Sequence, residues 1–336
     1  MTRNRKIVYI SFAVVLIVFS GVFLLRFTVS DDDKENKRAD FSELSGFKAV
    51  SPPIPRKLDF AGESVPLNLF YVREALDREL SVNTYWHSQS LLLFKRANRH
   101  LPVVESILKK HQIPDDFKYV VLVESGFQHA VSSAGAAGYW QFMKETALEY
   151  GLEVTDQVDE RYHLVKATEA TCKYLLKSHE KYGSWTLVAA AFNGGQGRMD
   201  KLVKRQKTNN YYEMFMNQET SRYVFRILAL KLIFEHPEKY GYQLKREDLY
   251  PSIPQKRFTV TESIPNLVEF AREKNVSYRM LRELNPWLAD TFLPVKPGKS
   301  YHLVLPTGKF DDYDALIRDE VNGITPSQTE TEREKD

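Results

Sequence analysis

The chain has 336 residues, 43% of them hydrophobic and 27% charged, so it is long enough to bury more than one hydrophobic core. Its net charge of +3 is small and evenly spread, which argues against nucleic acid as a partner. The single cysteine, Cys172, excludes a disulfide framework and a cysteine-based zinc site within the chain. It lies in a helical pattern and is expected to pack as a small hydrophobe.

The N-terminus combines a basic start with a long apolar run. Residues 7–25 carry no charge, and at about 1.5 Å per residue a helix of this length crosses the core of a bilayer. Three basic residues precede the run and three aspartates follow it, which by the positive-inside rule exports the rest of the chain. Residues 1–29 are therefore predicted to anchor the protein in the cell membrane, with its body in the periplasm or cell envelope. A cleaved signal sequence is the alternative, although no A-x-A cleavage site follows.

The middle of the chain is predicted to be helical almost throughout. Residues 30–64 are charged and then rich in proline, as in a linker. In residues 65–250, apolar side chains recur every three or four positions without strand-like alternation, which predicts an all-α domain. One strongly apolar helix starts near Pro114 and is predicted to stop at Gly126.

The C-terminal part has a different pattern. The runs "RFTVTES" and "SYHLVLPTG" resemble short strands, and two short helical signals lie between them. Ser263 and Ser277 precede these signals and are expected to cap the two helices. Residues 256–307 are thus predicted to form a strand–helix–helix–strand module, small but able to fold independently. Residues 308–336 are predicted to be a polar tail, of which the last residues, 325–336, are predicted to be disordered.

The most informative acidic residue is Glu124, which ends the apolar helix. The unpaired carbonyl groups of a helix C-terminus carry about half a negative charge, which disfavours a carboxylate. The apolar residues 121–123 add desolvation, and both effects raise the pKa of the Glu124 carboxyl. A raised pKa is what a general acid needs at neutral pH. The alternative is a structural carboxyl that hydrogen-bonds the following loop.

Four motifs in the helical block occur together in one order. They are Glu124-Ser125-Gly126, then Gly138-Tyr139-Trp140-Gln141-Phe142-Met143, then Ala191-Phe192-Asn193-Gly194-Gly195, and last Glu219-Thr220 with Tyr223-Val224. In this order and spacing the chain closely resembles the lytic transglycosylases, in particular the membrane-bound transglycosylase D group. The resemblance covers roughly residues 65–242 and implies a lysozyme-like (SLT) α domain.

The resemblance implies cleavage of the β-1,4 bond between N-acetylmuramic acid and N-acetylglucosamine in peptidoglycan. Glu124 matches the single catalytic acid of the family, which protonates the glycosidic oxygen and then acts as base to give a 1,6-anhydromuramyl product. No metal or organic cofactor is implied, and the partner is a peptidoglycan glycan strand. Two alternatives remain open: a hydrolytic muramidase on the same fold, and a non-catalytic peptidoglycan-binding scaffold.

The resemblance also implies roles for the residues around the acid. Ser125 would either hydrogen-bond near the scissile sugar or cap the helix end. Gln141 and Asn193 match residues that bind substrate. Tyr223 matches the tyrosine whose hydroxyl supports the acid, although its alternative is one more aromatic side chain on an apolar helix face.

Two further motif residues have open roles, and three positions depart from the family. Gly138 would let the backbone approach the glycan closely, and Trp140 would either stack on a sugar face or pack in the core. Tyr139, Phe192 and Lys144 stand where leucine, tyrosine and proline are usual. Phe192 therefore lacks a hydroxyl in one wall of the expected cleft.

The C-terminal module resembles a LysM domain, which is a peptidoglycan-binding unit. "NVSYRMLRELNPW" and "LVLP" fit the second helix and the last strand of that fold. The usual Gly-Asp turn before the first helix is missing. The module is therefore either a second glycan-binding site or a degenerate structural cap.

Overall fold

The computed structural model of the chain describes residues 50–323. The predicted membrane-spanning run at residues 7–25 and most of the predicted linker lie outside this range. Within residues 50–323 there is no helix both long enough and apolar enough to cross a membrane.

A short β-hairpin precedes the helices and is part of the packed domain. Strands β1 (Asp59–Phe60) and β2 (Glu63–Ser64) pair antiparallel. Phe60 is fully buried and lies 5.3 Å, ring to ring, from Phe117. The packed domain therefore begins before the predicted boundary at residue 65, and the last part of the predicted linker is not a linker.

The helical domain consists mainly of eight α-helices in the described part of the chain. They are α1 (Phe70–Tyr85), α2 (His87–Lys110), α3 (Lys118–Glu124), α4 (Lys144–Glu149), α5 (Leu164–Tyr182), α6 (Trp185–Gly194), α7 (Gln196–Gln206) and α8 (Gln218–Glu235). Helix α8 is buried along most of its length and packs against α1, α3 and α6. The predicted helical character of this block is confirmed.

Helix α3 ends where the sequence indicated. Tyr119 to Leu122 are buried, and Glu124 is the last helical residue. Gly126 has φ +54°, a left-handed conformation that glycine adopts at low cost and that commonly ends a helix. A Cβ atom at Gly126 would lie 2.6 Å from Cδ2 of Leu93 in α2, so a side chain would also collide there. Both restraints fix the chain direction directly after Glu124.

Helix α6 is held at its start by the hairpin. The Glu63 carboxylate accepts hydrogen bonds from the Ser184 hydroxyl at 2.9 Å and from the Thr186 amide at 3.0 Å. A carboxylate at a helix N-terminus satisfies amides that lack a partner within the helix and opposes the positive end of its dipole. This contact fixes the helix whose other end carries Asn193.

The C-terminal module has the predicted order of elements. Strands β3 (Gln255–Val260) and β4 (Tyr301–Pro306) pair antiparallel and enclose α9 (Leu267–Glu273) and α10 (Tyr278–Leu284). The module has its own hydrophobic cluster, which includes Leu281.

One of the two predicted caps in this module is confirmed and the other is wrong. Ser277 accepts a hydrogen bond from the Met280 amide and caps α10. Helix α9 is capped instead by Asn266, whose side-chain oxygen accepts from the Val268 amide at 2.9 Å. Ser263 lies three residues too early and accepts from the Val295 amide.

The module is joined to the helical domain by main-chain hydrogen bonds. The Asp159 amide donates to the Trp287 carbonyl at 2.8 Å, and the Ala289 amide donates to the Gln157 carbonyl at 2.8 Å. The Tyr301 hydroxyl donates to the Glu153 carboxylate at 2.9 Å. The two parts therefore pack as one body along the loop before α5.

The predicted tail is partly structured. Residues Tyr313–Val321 form helix α11, capped by Asp312. The Glu320 carboxylate accepts from the Asn98 side chain at 3.1 Å and from the Ser252 amide at 3.3 Å, which ties α11 back to the helical domain. The predicted polar tail therefore contains a helix, and residues 325–336, for which disorder was predicted, lie outside the described range.

Candidate active site

Glu124 lies at the meeting point of α3 and α8. The Tyr223 hydroxyl donates a hydrogen bond to its Oε1 atom. Tyr223 is almost fully buried, whereas Glu124 is partly exposed. None of the ion pairs within residues 50–323 involves Glu124. A carboxyl group is thus held at the protein surface by a neutral partner.

The surroundings of Glu124 favour its protonated form. Burial raises the pKa of this carboxyl from 4.5 to about 7, and the negative charge of Glu219 acts in the same direction. The hydrogen bond from Tyr223 and the positive charge of Arg226 oppose the increase in pKa. Desolvation is the dominant cause, as expected for an acid at the end of an apolar helix. At neutral pH a large fraction of Glu124 is therefore protonated.

Two of the four sequence motifs meet beside this pair. The Thr220 hydroxyl donates to Oδ1 of Asn193 at 3.1 Å, which links the end of α6 to the first turn of α8. A Cβ atom at Gly194 would lie 3.0 Å from Oγ1 of Thr220, so the absence of a side chain permits this close approach. Asn193 is thereby held against the first turn of α8, the helix that also carries Tyr223. Thr220 stands in the last motif, and sequence reasoning gave it no separate role.

Ser125 and Gln141 shape the loop that follows the acid. The Ser125 hydroxyl donates to the Tyr139 carbonyl at 2.7 Å and accepts from the Phe127 amide at 3.1 Å. The Gln141 side-chain amide donates to the carbonyls of Ala130 and Gly138 at 3.0 and 2.9 Å. Ser125 therefore uses its hydroxyl within the protein, which agrees with the helix-end alternative.

Gln141 has a strained main chain and a free acceptor. Its φ is +51°, which is uncommon outside glycine and is often found at functional sites. Within residues 50–323 its side chain forms two hydrogen bonds, both through Nε2, and Oε1 has no partner there. An oriented carbonyl oxygen of this kind can accept a hydrogen bond from a sugar amide or hydroxyl.

The structure places Trp140 in the core, which corrects its proposed stacking on sugar. The side chain is 0% exposed, and its indole nitrogen donates to the Thr168 hydroxyl at 2.9 Å. A ring without exposed surface cannot stack on a ligand. Trp140 instead supports, from beneath, the loop that carries Gln141.

Gly138 also has a structural role rather than the predicted approach to glycan. It has φ +79°, and a Cβ atom there would lie 2.0 Å from the Arg161 carbonyl oxygen. The Arg161 side chain donates to the Phe142 carbonyl at 3.2 Å and pairs with Asp159 at 2.6 Å. Gly138 therefore allows the short 3-10 helix that contains Arg161 to pack against the loop.

Phe192 belongs to an aromatic cluster behind the site. Its ring lies 5.3 Å from that of Tyr174, 6.1 Å from Phe142 and 6.3 Å from Trp140, in edge-to-face geometry. The Tyr174 hydroxyl donates to the Ala191 carbonyl. The cluster supports the end of α6 without a hydroxyl at position 192.

An ion-pair cluster on α1 and α8 was not found by sequence reasoning. Glu79 is 1% exposed and accepts a hydrogen bond from Nε of Arg222 at 2.6 Å. Arg78 donates to it at 2.7 Å, and Nε of Arg226 lies 3.9 Å away. The only signals in the sequence are an acid within the apolar face of α1 and two arginines four residues apart.

Comparisons with known proteins agree with this architecture. Residues 103–215 match the family described as Transglycosylase SLT domain, and residues 256–309 match the family described as Soluble lytic transglycosylase C-terminal LysM-like domain. These matches confirm the resemblance drawn from the motifs: the chain carries an SLT domain followed by a LysM-like module. The first match includes Glu124, Gln141 and Asn193, and ends before α8.

Two relatives carry the name Membrane-bound lytic murein transglycosylase D. One is from Escherichia coli strain K12 and the other from Escherichia coli O6:H1, and each is 33% identical to this chain over 242 residues. The alignment covers 69% of this chain and 51% of each relative. The chain therefore spans about half the length of these relatives.

Proposed function

We propose that the protein is a lytic transglycosylase of the cell envelope that cleaves the glycan strands of peptidoglycan. The main support for this proposal is the environment of Glu124. Its carboxyl is partly exposed, its pKa is raised to about 7, and its direct hydrogen-bond partner is the neutral Tyr223 hydroxyl. The SLT and LysM-like matches and the names of the two relatives support the same substrate.

In the proposed reaction one acid serves twice. Glu124 donates its proton to the glycosidic oxygen as the bond from that oxygen to C1 of N-acetylmuramic acid breaks. The carboxylate then accepts the proton of the 6-hydroxyl of the same sugar, whose oxygen bonds to C1 and closes the 1,6-anhydro ring. No water is consumed, and Glu124 ends protonated. The nucleophile is already part of the substrate, so its attack is intramolecular and a second carboxylate is not required.

The neighbouring residues have proposed roles in this step. Tyr223 orients the Glu124 carboxyl and stabilises the anion formed after proton donation. Gln141 offers Oε1 to the substrate, and Asn193, held through Thr220, offers its side-chain amide. Ser125, Trp140 and Gly138 position the loop rather than touch the sugar.

The test is an analysis of reaction products. Purified full-length protein is incubated with peptidoglycan sacculi at pH 6, and the released muropeptides are identified by mass spectrometry. We expect 1,6-anhydro ends, which are 18 Da lighter than hydrolysed ends, as follows from the loss of one water in the mass balance of the two reactions. The variant Glu124→Gln should release none.

The two alternatives give different products. Reducing-end muropeptides lost in Glu124→Gln would identify a hydrolytic muramidase. Binding to sacculi without any released product would identify a non-catalytic scaffold. Either outcome contradicts the proposed transglycosylase.

A further inference from the structure

A groove with basic and apolar walls lies between α7 and the start of α8. Its volume is about 490 Å³, and it is lined by Arg198, Leu202, Arg205, Phe215, Met216 and Asn217. None of these residues has a role in the proposed chemistry. The lining combines two guanidinium groups with an exposed aromatic ring.

The two arginines project from one face of α7 and are available to a ligand. Arg198, Leu202 and Arg205 are spaced four and three residues apart, which places them on the same side of a helix. Within residues 50–323, neither guanidinium group forms an ion pair or a side-chain hydrogen bond. Helix α7 has four basic residues and one acid, and that acid, Asp200, pairs with Lys181. The groove wall is therefore locally positive in a chain whose charges otherwise nearly balance.

The aromatic side of the groove is held in place by its backbone. Phe215 is 86% exposed, although a large apolar side chain gains from burial. The Gln206 side chain accepts from the Phe215 amide and donates to the Phe215 carbonyl, both at 2.8 Å. This two-point contact restrains the main chain that carries the exposed ring, which lowers the cost of ordering this segment when a ligand binds.

The groove is adjacent to the candidate active site. Asn217 lines it and also caps α8 by accepting from the Thr220 amide at 3.2 Å. Tyr223, the partner of Glu124, lies six residues further along this helix, a rise of about 9 Å. The groove and the residue that holds Glu124 therefore share the first two turns of α8.

We infer that this groove binds the carboxylate-bearing peptide attached to the N-acetylmuramic acid of a peptidoglycan strand. Arginine recognises a carboxylate through paired hydrogen bonds, and Phe215 offers apolar contact to the aliphatic parts of a peptide. This inference rests on the proposed function, since it takes peptidoglycan as the substrate. It adds a preference for strands that carry peptides over bare glycan.

The test measures binding without cleavage. Full-length Glu124→Gln protein is titrated with soluble glycan strands that carry their peptides, released from sacculi by an endopeptidase, and with the same strands freed of peptides by an amidase. Adding Arg198→Gln and Arg205→Gln should reduce the preference for peptide-bearing strands about fivefold, as expected for losing two solvent-exposed charge contacts. Adding Phe215→Ala should reduce the same preference.

The matched control is Lys201→Gln with Lys204→Gln, which removes two charges from α7 outside the groove lining. It should retain the preference, and thermal melting should show that both double variants are folded. Equal losses in the two double variants, or equal losses on both kinds of strand, would overturn the inference. Binding to phosphatidylglycerol vesicles that depends on Arg198 and Arg205, without an effect on strand binding, would also overturn it by assigning the groove to membrane.

This result is separable from the proposed function. If the wild-type chain releases no 1,6-anhydro products while the arginine-dependent preference is present, the transglycosylase proposal fails and the peptide groove stands. If those products form and the preference is absent, the transglycosylase proposal stands and the peptide groove is refuted.

Discussion

Two carboxyl groups contact helix α8, and their hydrogen-bond partners differ in charge. Glu124 meets the neutral hydroxyl of Tyr223 and keeps partial access to solvent. Glu79 is buried and is surrounded by the guanidinium groups of Arg78, Arg222 and Arg226. The first arrangement favours a protonated acid, and the second compensates a buried charge.

Helix geometry separates the two environments. Arg222 and Arg226 are four residues apart on α8, so they lie on one side of the helix and reach α1. Tyr223 is one residue on, about 100° around the axis, and reaches α3. Arg222 and Arg226 thus pair with Glu79 and not with Glu124, although the charge of Arg226 still lowers the pKa of Glu124. Helix α8 thus stabilises the fold through one face and, through the neighbouring face, holds the Glu124 carboxyl by a neutral partner.

The largest expected effect follows from removing the acid. Glu124→Gln keeps the shape of the side chain but cannot donate a proton with comparable strength. We expect the rate of release of 1,6-anhydromuropeptides to fall by about 10³-fold or more, in the range attributed to general acid catalysis. Initial rates on sacculi at pH 6 measure this. A variant that retains a tenth of the wild-type rate would refute the role of Glu124.

Replacing the Glu79 carboxylate should lower the stability of the fold. Glu79→Gln leaves three arginines without their shared partner, and we expect the free energy of unfolding to fall by about 2–3 kcal/mol because these arginines retain some solvent. Urea unfolding followed by circular dichroism measures the change. Glu74→Gln, an exposed acid on the same helix, is the control and should change stability little. Equal small effects would show that the cluster around Glu79 is not structurally important.

Removing the acid should also stabilise the fold at high pH. Glu124 has a folded-state pKa of about 7, above its unfolded value, so the wild-type protein loses stability as pH rises from about 4.5 through 7. Glu124→Gln has no such loss. We expect the variant to be more stable than wild type by about 1–2 kcal/mol at pH 8, allowing for partial solvent access, and the difference to shrink towards pH 5. Urea unfolding at the two pH values tests this; a less stable variant at pH 8 would contradict it.

Removing the Tyr223 hydroxyl should change how the reaction rate depends on pH. Its hydrogen bond lowers the pKa of Glu124, so Tyr223→Phe should raise that pKa further. The loss of activity on the basic side then moves to higher pH, while the maximal rate falls by about tenfold through poorer orientation and anion stabilisation. Rates measured from pH 5 to 9 test both effects. A basic limb that moves to lower pH would show that the hydroxyl acts in another way.

The smallest expected change concerns Glu219. Its negative charge raises the pKa of Glu124, so Glu219→Gln should lower that pKa and move the basic limb to lower pH. The maximal rate should remain within about threefold of wild type, since the effect acts through space. A loss as large as that of Glu124→Gln would instead indicate a second catalytic carboxylate and favour the hydrolytic alternative.

Much of the fold could be predicted from the sequence because periodicity and stop signals are local. The helix end at Glu124, the all-helical block and the strand–helix–helix–strand order all rest on such signals. The hairpin at residues 59–64 and helix α11 were missed because both are short and are held by distant partners, such as Asn98 for Glu320.

The candidate site was predictable only in part. The motifs identified Glu124 and Tyr223, but a tryptophan two residues after a glycine, as in Trp140, fits either a surface that stacks on sugar or a core position. Its complete burial and its contact with Thr168 decide for the core. The role of Glu79 could not be found because it depends on distant arginines, the nearer of which, Arg222, lies 143 residues later in the chain.

The most direct test of the account is the titration of the Glu124 side-chain carboxyl by carbon NMR, with Glu124→Gln used to assign the signal. The structure gives a pKa of about 7. A value at or below that of a free glutamate, about 4.3, would mean that the group is ionised at neutral pH and would contradict its role as the acid.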